Sequence, residues 1–102
     1  MAWKVIESRK IKRTVEKLPP AIKEAYELLV ADLKQDGPEQ RSWPHYGPLA
    51  GTRKKEPPRY HCHLNKGKPR YVAIWRVNDL TLEILEVRYV GPHEGADYKN
   101  IR

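Results

Sequence analysis

Residues 60–90 contain three segments rich in β-branched and aromatic side chains, separated only by Asn65-Lys66-Gly67-Lys68 and by Asn78-Asp79. Connections that short leave little choice of geometry. A parallel crossover needs roughly a dozen residues or more, whereas an antiparallel hairpin closes with two to five. Residues 60–64, 70–77 and 81–90 are therefore expected to pair as a three-stranded antiparallel meander.

The first third of the chain follows a different period. Trp3-Lys4-Val5-Ile6-Glu7 alternates apolar and polar residues, as a short half-buried strand does. Ser8 can cap a helix running to about residue 17, with Ile11, Val15 and Leu18 on one face. Pro19-Pro20 ends that helix and suits the first turn of the next. Over residues 21–35 the apolar positions Ile22, Tyr26, Leu29, Val30 and Leu33 form one stripe, and Gly37-Pro38 is the stop. The expected fold class is α+β: an N-terminal strand, an α-helical hairpin and the meander. At 102 residues the chain is read as one domain, 1–102.

Residues 37–58 are punctuated by Gly37, Pro38, Pro44, Gly47, Pro48, Gly51, Pro57 and Pro58, so long regular structure is not expected there. Trp43, His45 and Tyr46 are costly to leave in water, so part of this loop should pack back on the body.

Charge separates the same regions. Between Arg41 and Arg70 stand Arg41, Arg53, Lys54, Lys55, Arg59, Lys66, Lys68 and Arg70 against the single acid Glu56. That local excess equals the whole chain's formal +7, so the remainder cancels. A field of this size attracts a polyanion, nucleic acid first and an acidic protein segment second. A solubilising surface is the plainer reading. No apolar run approaches the ~20 residues needed to span a bilayer. The start of the chain lacks the apolar core of a secretory signal. A single cysteine forms no internal disulfide and fits a reducing compartment. The expectation is a cytoplasmic protein without membrane contact.

The chemistry-bearing residues gather at one end of the expected sheet. His61 and His63 are two apart on a strand and share a face, with Cys62 on the other. Arg70 opens the next strand, and the last strand runs into Gly91-Pro92-His93-Glu94 and Asp97-Tyr98. Cutting RNA through its own 2′-hydroxyl needs a base at that oxygen, positive charge on the phosphorane and an acid at the leaving 5′-oxygen. Histidine titrates near neutrality and can be either base or acid. Arginine is always charged and forks onto phosphate oxygens. The scheme needs no metal or cofactor, and His61 with His63 lacks the further ligands of a recognised zinc spacing. Other roles compete: surface histidines on an edge strand, Arg70 paired with Glu86, Asp97 as a cap, Tyr98 packed as a tail aromatic. Tyr71, Trp75, Val87 and Tyr89 read as core.

The order β-α-α-β-β-β in about a hundred basic residues resembles the RelE/HigB/ParE superfamily of type II toxin–antitoxin toxins. The resemblance is carried by LPPAIKEAYELLVADLKQDGP, KPRYVAIWRV and EVRYVGPHEGADY. In its RelE- and HigB-like branches it implies a ribosome-dependent mRNA endoribonuclease that inhibits translation. The implied partners are a cognate protein antitoxin, mRNA and the ribosome with its 16S rRNA. Assembly as a homodimer or a toxin–antitoxin heterotetramer is also implied. Carried over by position, Arg70 meets the scissile phosphate, and His61 and His63 stand where such enzymes commonly have lysines. His93 follows the last strand's glycine, and Asp97-Tyr98 form the tail pair with Lys99 after them. Arg53, Lys54, Lys55, Arg59, Lys66, Lys68 and Lys99 are the candidate RNA contacts. Two alternatives stand on the same fold: a ParE-like inhibitor of DNA gyrase and a noncatalytic RNA-binding regulator.

Overall fold

The computed structural model describes residues 2–49 and 57–96. Strand β1 (Lys4–Glu7) leads into α1 (Arg9–Glu16) and α2 (Pro20–Asp36). There follow β2 (Gly47–Pro48), β3 (Arg59–His63), β4 (Tyr71–Asp79) and β5 (Ile84–Pro92), and a 3₁₀ turn over His93–Gly95. As its position implied, Ser8 caps α1, its hydroxyl accepting from the Ile11 N–H at 3.2 Å. Pro20 opens α2, and Gly37 ends it at φ 88°.

The meander β3-β4-β5 forms, but it is the centre of a wider sheet. The order is β1-β5-β4-β3-β2, with β1 parallel to β5 and the other pairs antiparallel. Two details depart from expectation. β4 runs on to Asp79 and β5 begins only at Ile84, because residues 80–83 form the turn. Asp79 Oδ1 accepts the Leu82 N–H at 2.8 Å and Glu83 sits at φ 55°, so the chain reverses over residues 80–83 rather than at Asn78-Asp79. The loop expected to be irregular also contributes β2, whose Gly47 pairs with His61 and Pro48 with Tyr60. β3 is therefore not the sheet's edge.

The two helices cover one face. Ile11, Val15, Ile22, Tyr26, Leu29 and Leu33 pack there on Cys62, Ala73, Trp75, Leu85, Val87 and Val90. The strand period of two puts every second residue of β3, β4 and β5 on this side. Tyr26 also donates to a Glu7 carboxylate oxygen at 2.7 Å, which ties α2 to β1. Burial, then Glu7, pushes the phenol pKa up.

Trp75 anchors the loop after α2. It is fully buried, and its indole N–H donates to the Pro38 carbonyl at 2.9 Å. Buried Gln40 donates to the carbonyls of Gly37 and Asp32, and the Trp43 indole donates to the Asp32 carboxylate. Tyr46 stacks on Tyr60 and Trp75. Packing back of Trp43 and Tyr46 is what their cost in water required. Gly37 lets the chain turn into this loop. A Cβ there would stand 2.6 Å from Trp3 Nε1, at a φ that disfavours side chains. Gly37→Ala is expected to cost about 1–3 kcal/mol. A lowered urea midpoint with an unchanged slope would show it; an unchanged midpoint would contradict the fit.

Candidate functional site

The face of the sheet away from the helices carries His61 and His63. Between them and β5 lie Val72 and Ile74, which pair with His63 and His61 and are fully buried. Every second β3 residue faces this side, so Cys62 points into the helix-side core and cannot join the histidines. Burial pushes its thiol up to about 12.

The loop brings a further histidine. The Pro44 carbonyl accepts the His63 N–H at 2.8 Å, which places His45 over β3. The His45 ring stacks on His63 with centroids 4.2 Å apart and planes at 28°. His63, 6% exposed, meets exposed His93 edge-on at 5.4 Å. The Arg70 carbonyl accepts the His93 N–H at 2.7 Å, so the start of β4 and the end of β5 are joined at this corner. Arg70, His93, Lys68, Pro69, Pro92 and Glu94 line a cleft of about 330 Å³. Register explains the convergence: Val72 pairs with both His63 and Gly91, and Tyr71 pairs with Pro92. All four histidines of the chain thus lie at one end of the sheet beside Arg70.

The hydrogen bond at His61 defines its chemistry. Its Nδ1 lies 3.0 Å from the Gly47 carbonyl oxygen. A carbonyl only accepts, so Nδ1 carries the proton and the lone pair of the neutral ring is on Nε2. Burial lowers the pKa of His61; the Gly47 bond opposes this, while His45 and His93 add to it. Burial also lowers that of His63, followed by His45, His93, Arg70 and His61. Both rings are predominantly neutral at pH 7, as a proton acceptor must be.

The same shifts bear on stability. Each ring binds a proton less readily folded than unfolded, so acid favours the unfolded chain. Stability is expected to fall as pH drops below the ordinary histidine value of about 6.5, and to go on falling to the depressed folded values. Urea unfolding at about pH 8 and about pH 5, with His63→Gln beside the parent, reads this. A His63→Gln slope as steep as the parent's would contradict it.

The turn after β3 is fixed by Asn65, whose Oδ1 accepts the Tyr71 N–H at 2.9 Å and whose amide donates to the Pro69 carbonyl. It presents Lys66 and Lys68 to solvent next to Arg70. Arg59 is a correction. It shares the histidines' face but is 4% exposed, so it does not belong to a phosphate-facing surface. In the sheet it stands opposite Arg76, and its carbonyl accepts from the Leu49 N–H at 3.0 Å. Tyr89 is another correction. It lies half-buried outside the core cluster, donating to the Pro92 carbonyl at 2.8 Å. Glu86 pairs with Arg76 and Arg88 rather than with Arg70. Arg53, Lys54, Lys55, Asp97, Tyr98 and Lys99 lie outside the described residues. His45 was visible in the sequence only as an aromatic needing cover. Its place depends on the loop's path, which no local pattern encodes.

Among the described residues no cluster has the make-up of a metal site, and no helix is long and apolar enough to cross a membrane. No protein-family model and no curated protein matches the chain. Two solved structures are similar to it. One is the archaeal RelE–RelB complex from Pyrococcus horikoshii OT3, at 17% identity over 94% of this chain and 100% of that one, with a TM-score of 0.72. The other is a mutant of the E. coli toxin RelE in the free state, at 15% identity over 99% and 94% of the two chains, with a TM-score of 0.67. The chain has the RelE fold.

Proposed function

We propose that this RelE-fold chain is the toxin of a toxin–antitoxin pair and acts as a metal-independent endoribonuclease on translated mRNA in the cytoplasm. The observation that carries the reading is the gathering of His61, His63, His93 and Arg70 at one corner of the sheet. That corner sets the proton acceptors His61 and His63 beside a cleft that holds a candidate proton donor, His93, and a permanent positive charge, Arg70. His61 Nε2 takes the proton of the 2′-hydroxyl, whose oxygen attacks the adjacent phosphorus. Arg70 spreads the equatorial charge of the phosphorane. His93, or Tyr98 held by Asp97, protonates the departing 5′-oxygen. The products are a 2′,3′-cyclic phosphate and a 5′-hydroxyl. The RelE–RelB neighbour is a two-protein complex, which supports a protein antitoxin as partner. The ribosome, with its 16S rRNA, is the proposed setting for cleavage.

The products test the chemistry. Purified protein with RNA, alone and in programmed ribosomes, should leave 2′,3′-cyclic phosphate and 5′-hydroxyl ends. Ends of 5′-phosphate and 3′-hydroxyl would exclude attack by the 2′-oxygen. A binder that uses this face only to grip phosphate would leave the RNA whole.

Lys66 and Lys68 are expected to bind phosphates. Replacing both with alanine should weaken RNA binding regardless of sequence. Each phosphate left without its lysine should make the salt dependence shallower by about one unit or slightly less. Unchanged affinity and slope would make them a solvated surface only.

A further inference from the structure

β5 extends beyond its neighbour. β1 pairs only with Ile84, Leu85, Glu86 and Val87, because the chain leaves the sheet at Ser8 to enter α1. Beyond Val87, among the described residues, no strand lies beside β5 on that side as far as Pro92. A register shift between β4 and β5 lies here: Trp75 pairs with Val87 and Ile74 with Tyr89, so Arg88 is bulged. α1 stands across from this edge, and the two enclose a groove of about 580 Å³. Its apolar lining includes Ile11 and Leu18 from the helix side and Tyr71 and Val90 from the sheet.

The charges around the groove have one sign. Exposed Lys10 and Lys17 line it together with Arg88, and no acid does among the described residues. Arg88 is already engaged with Glu86, so the two lysines supply most of the unbalanced charge. α1 itself carries Arg9, Lys10, Lys12 and Arg13 against Glu16. This second basic surface lies on the α1 side of Pro92, which separates it from the cleft lined by Lys68 and Arg70.

We propose that this groove docks an acidic, extended segment of a partner protein, which adds a strand beside β5 from Arg88 to Gly91. The inference rests on reading the chain as one half of a two-protein pair, and it names the surface that the other half uses. A strand edge offers alternating N–H donors and C=O acceptors, which a peptide backbone complements on both counts. An RNA backbone offers phosphate acceptors and leaves the carbonyls unmet. At about 3.3 Å per residue the edge has room for four or five residues. The added strand's side chains on the α1 side meet both the apolar lining and Lys10 and Lys17, so apolar and carboxylate groups share that side, while the residues between them face the other side of the sheet. Pro92 lines both this groove and the Arg70–His93 cleft, so a longer segment passes from one directly to the other.

The test uses the full chain, a short synthetic peptide of glutamate and valine in which both residue types occur on each strand face, and amide exchange read by NMR. The amides of residues 88–91 should shift and exchange more slowly on adding the peptide. Lys10→Glu combined with Lys17→Glu should weaken binding about tenfold or more while leaving RNA cleavage unchanged. No response at 88–91 with millimolar peptide would overturn the proposal, since lysines near an edge can also merely guard it against pairing. Equal binding of a lysine–valine peptide, or the same protection produced by oligouridylate, would overturn it too. A chain that binds the peptide here but cuts no RNA keeps this surface and loses the nuclease; one that cuts RNA and ignores the peptide does the reverse.

Discussion

Arg70→Ala is expected to lower the single-turnover rate of RNA cleavage by about 10²-fold or more, while fold and RNA affinity change little. Arg70 is exposed at the start of β4, and the bond it shares with His93 uses its backbone carbonyl, which alanine retains. The substitution therefore removes the guanidinium and leaves the corner standing. A charge that acts chiefly on the phosphorane affects the rate more than ground-state binding, and losing one such donor costs roughly 3–4 kcal/mol of the barrier. Arg70→Lys keeps the charge without the fork and should recover only part of the rate. A folded Arg70→Ala protein that cleaves at the parent rate would move catalysis elsewhere.

Trp75→Ala should be the most destabilising change within the described core, at about 3–5 kcal/mol. Trp75 is fully buried between the helices and the returning loop, and its indole satisfies the Pro38 carbonyl. Alanine leaves both a cavity and an unmet acceptor. Because Tyr46 stacks on Trp75 and His45 precedes it, the loop that carries His45 over His63 should loosen as well. Trp75→Phe keeps most of the volume and loses the hydrogen bond, so it should cost less, about 1–3 kcal/mol. Urea unfolding followed by circular dichroism separates the two. Equal losses would mean that the hydrogen bond, rather than the ring, dominates.

The helices and the meander were legible because their signals are local. Ser8, Pro19-Pro20 and Gly37-Pro38 set the helix ends, and the stripe from Ile22 to Leu33 set the buried face. The short connections between strands fixed antiparallel pairing. Their order with the LPPAIKEAYELLVADLKQDGP, KPRYVAIWRV and EVRYVGPHEGADY segments was enough to reach the RelE fold. The sheet's outer strands were not legible as pairings. Nothing local in Lys4–Glu7 says that it runs parallel to β5, and Gly47-Pro48 does not look like a strand until β3 is beside it.

At the site, the shared face of His61 and His63 followed from a period of two, and the nearness of Arg70 and His93 followed from hairpin register. Arg59 shows the limit of charge counting. It was counted within the basic 41–70 segment, yet it is buried. The basic character of α1 was hidden for a similar reason: counted over the whole remainder of the chain it cancels, and only folding separates Lys10 and Lys17 from the acids that balance them.

The central claim is that this corner cuts mRNA during translation. Primer extension on a reporter transcript after induced expression tests it most directly. The account predicts new 5′ ends inside the reading frame, absent when the start codon is removed and absent with Arg70→Ala. Intact transcripts together with accumulating gyrase-linked DNA breaks would contradict it and favour a gyrase inhibitor built on the same fold.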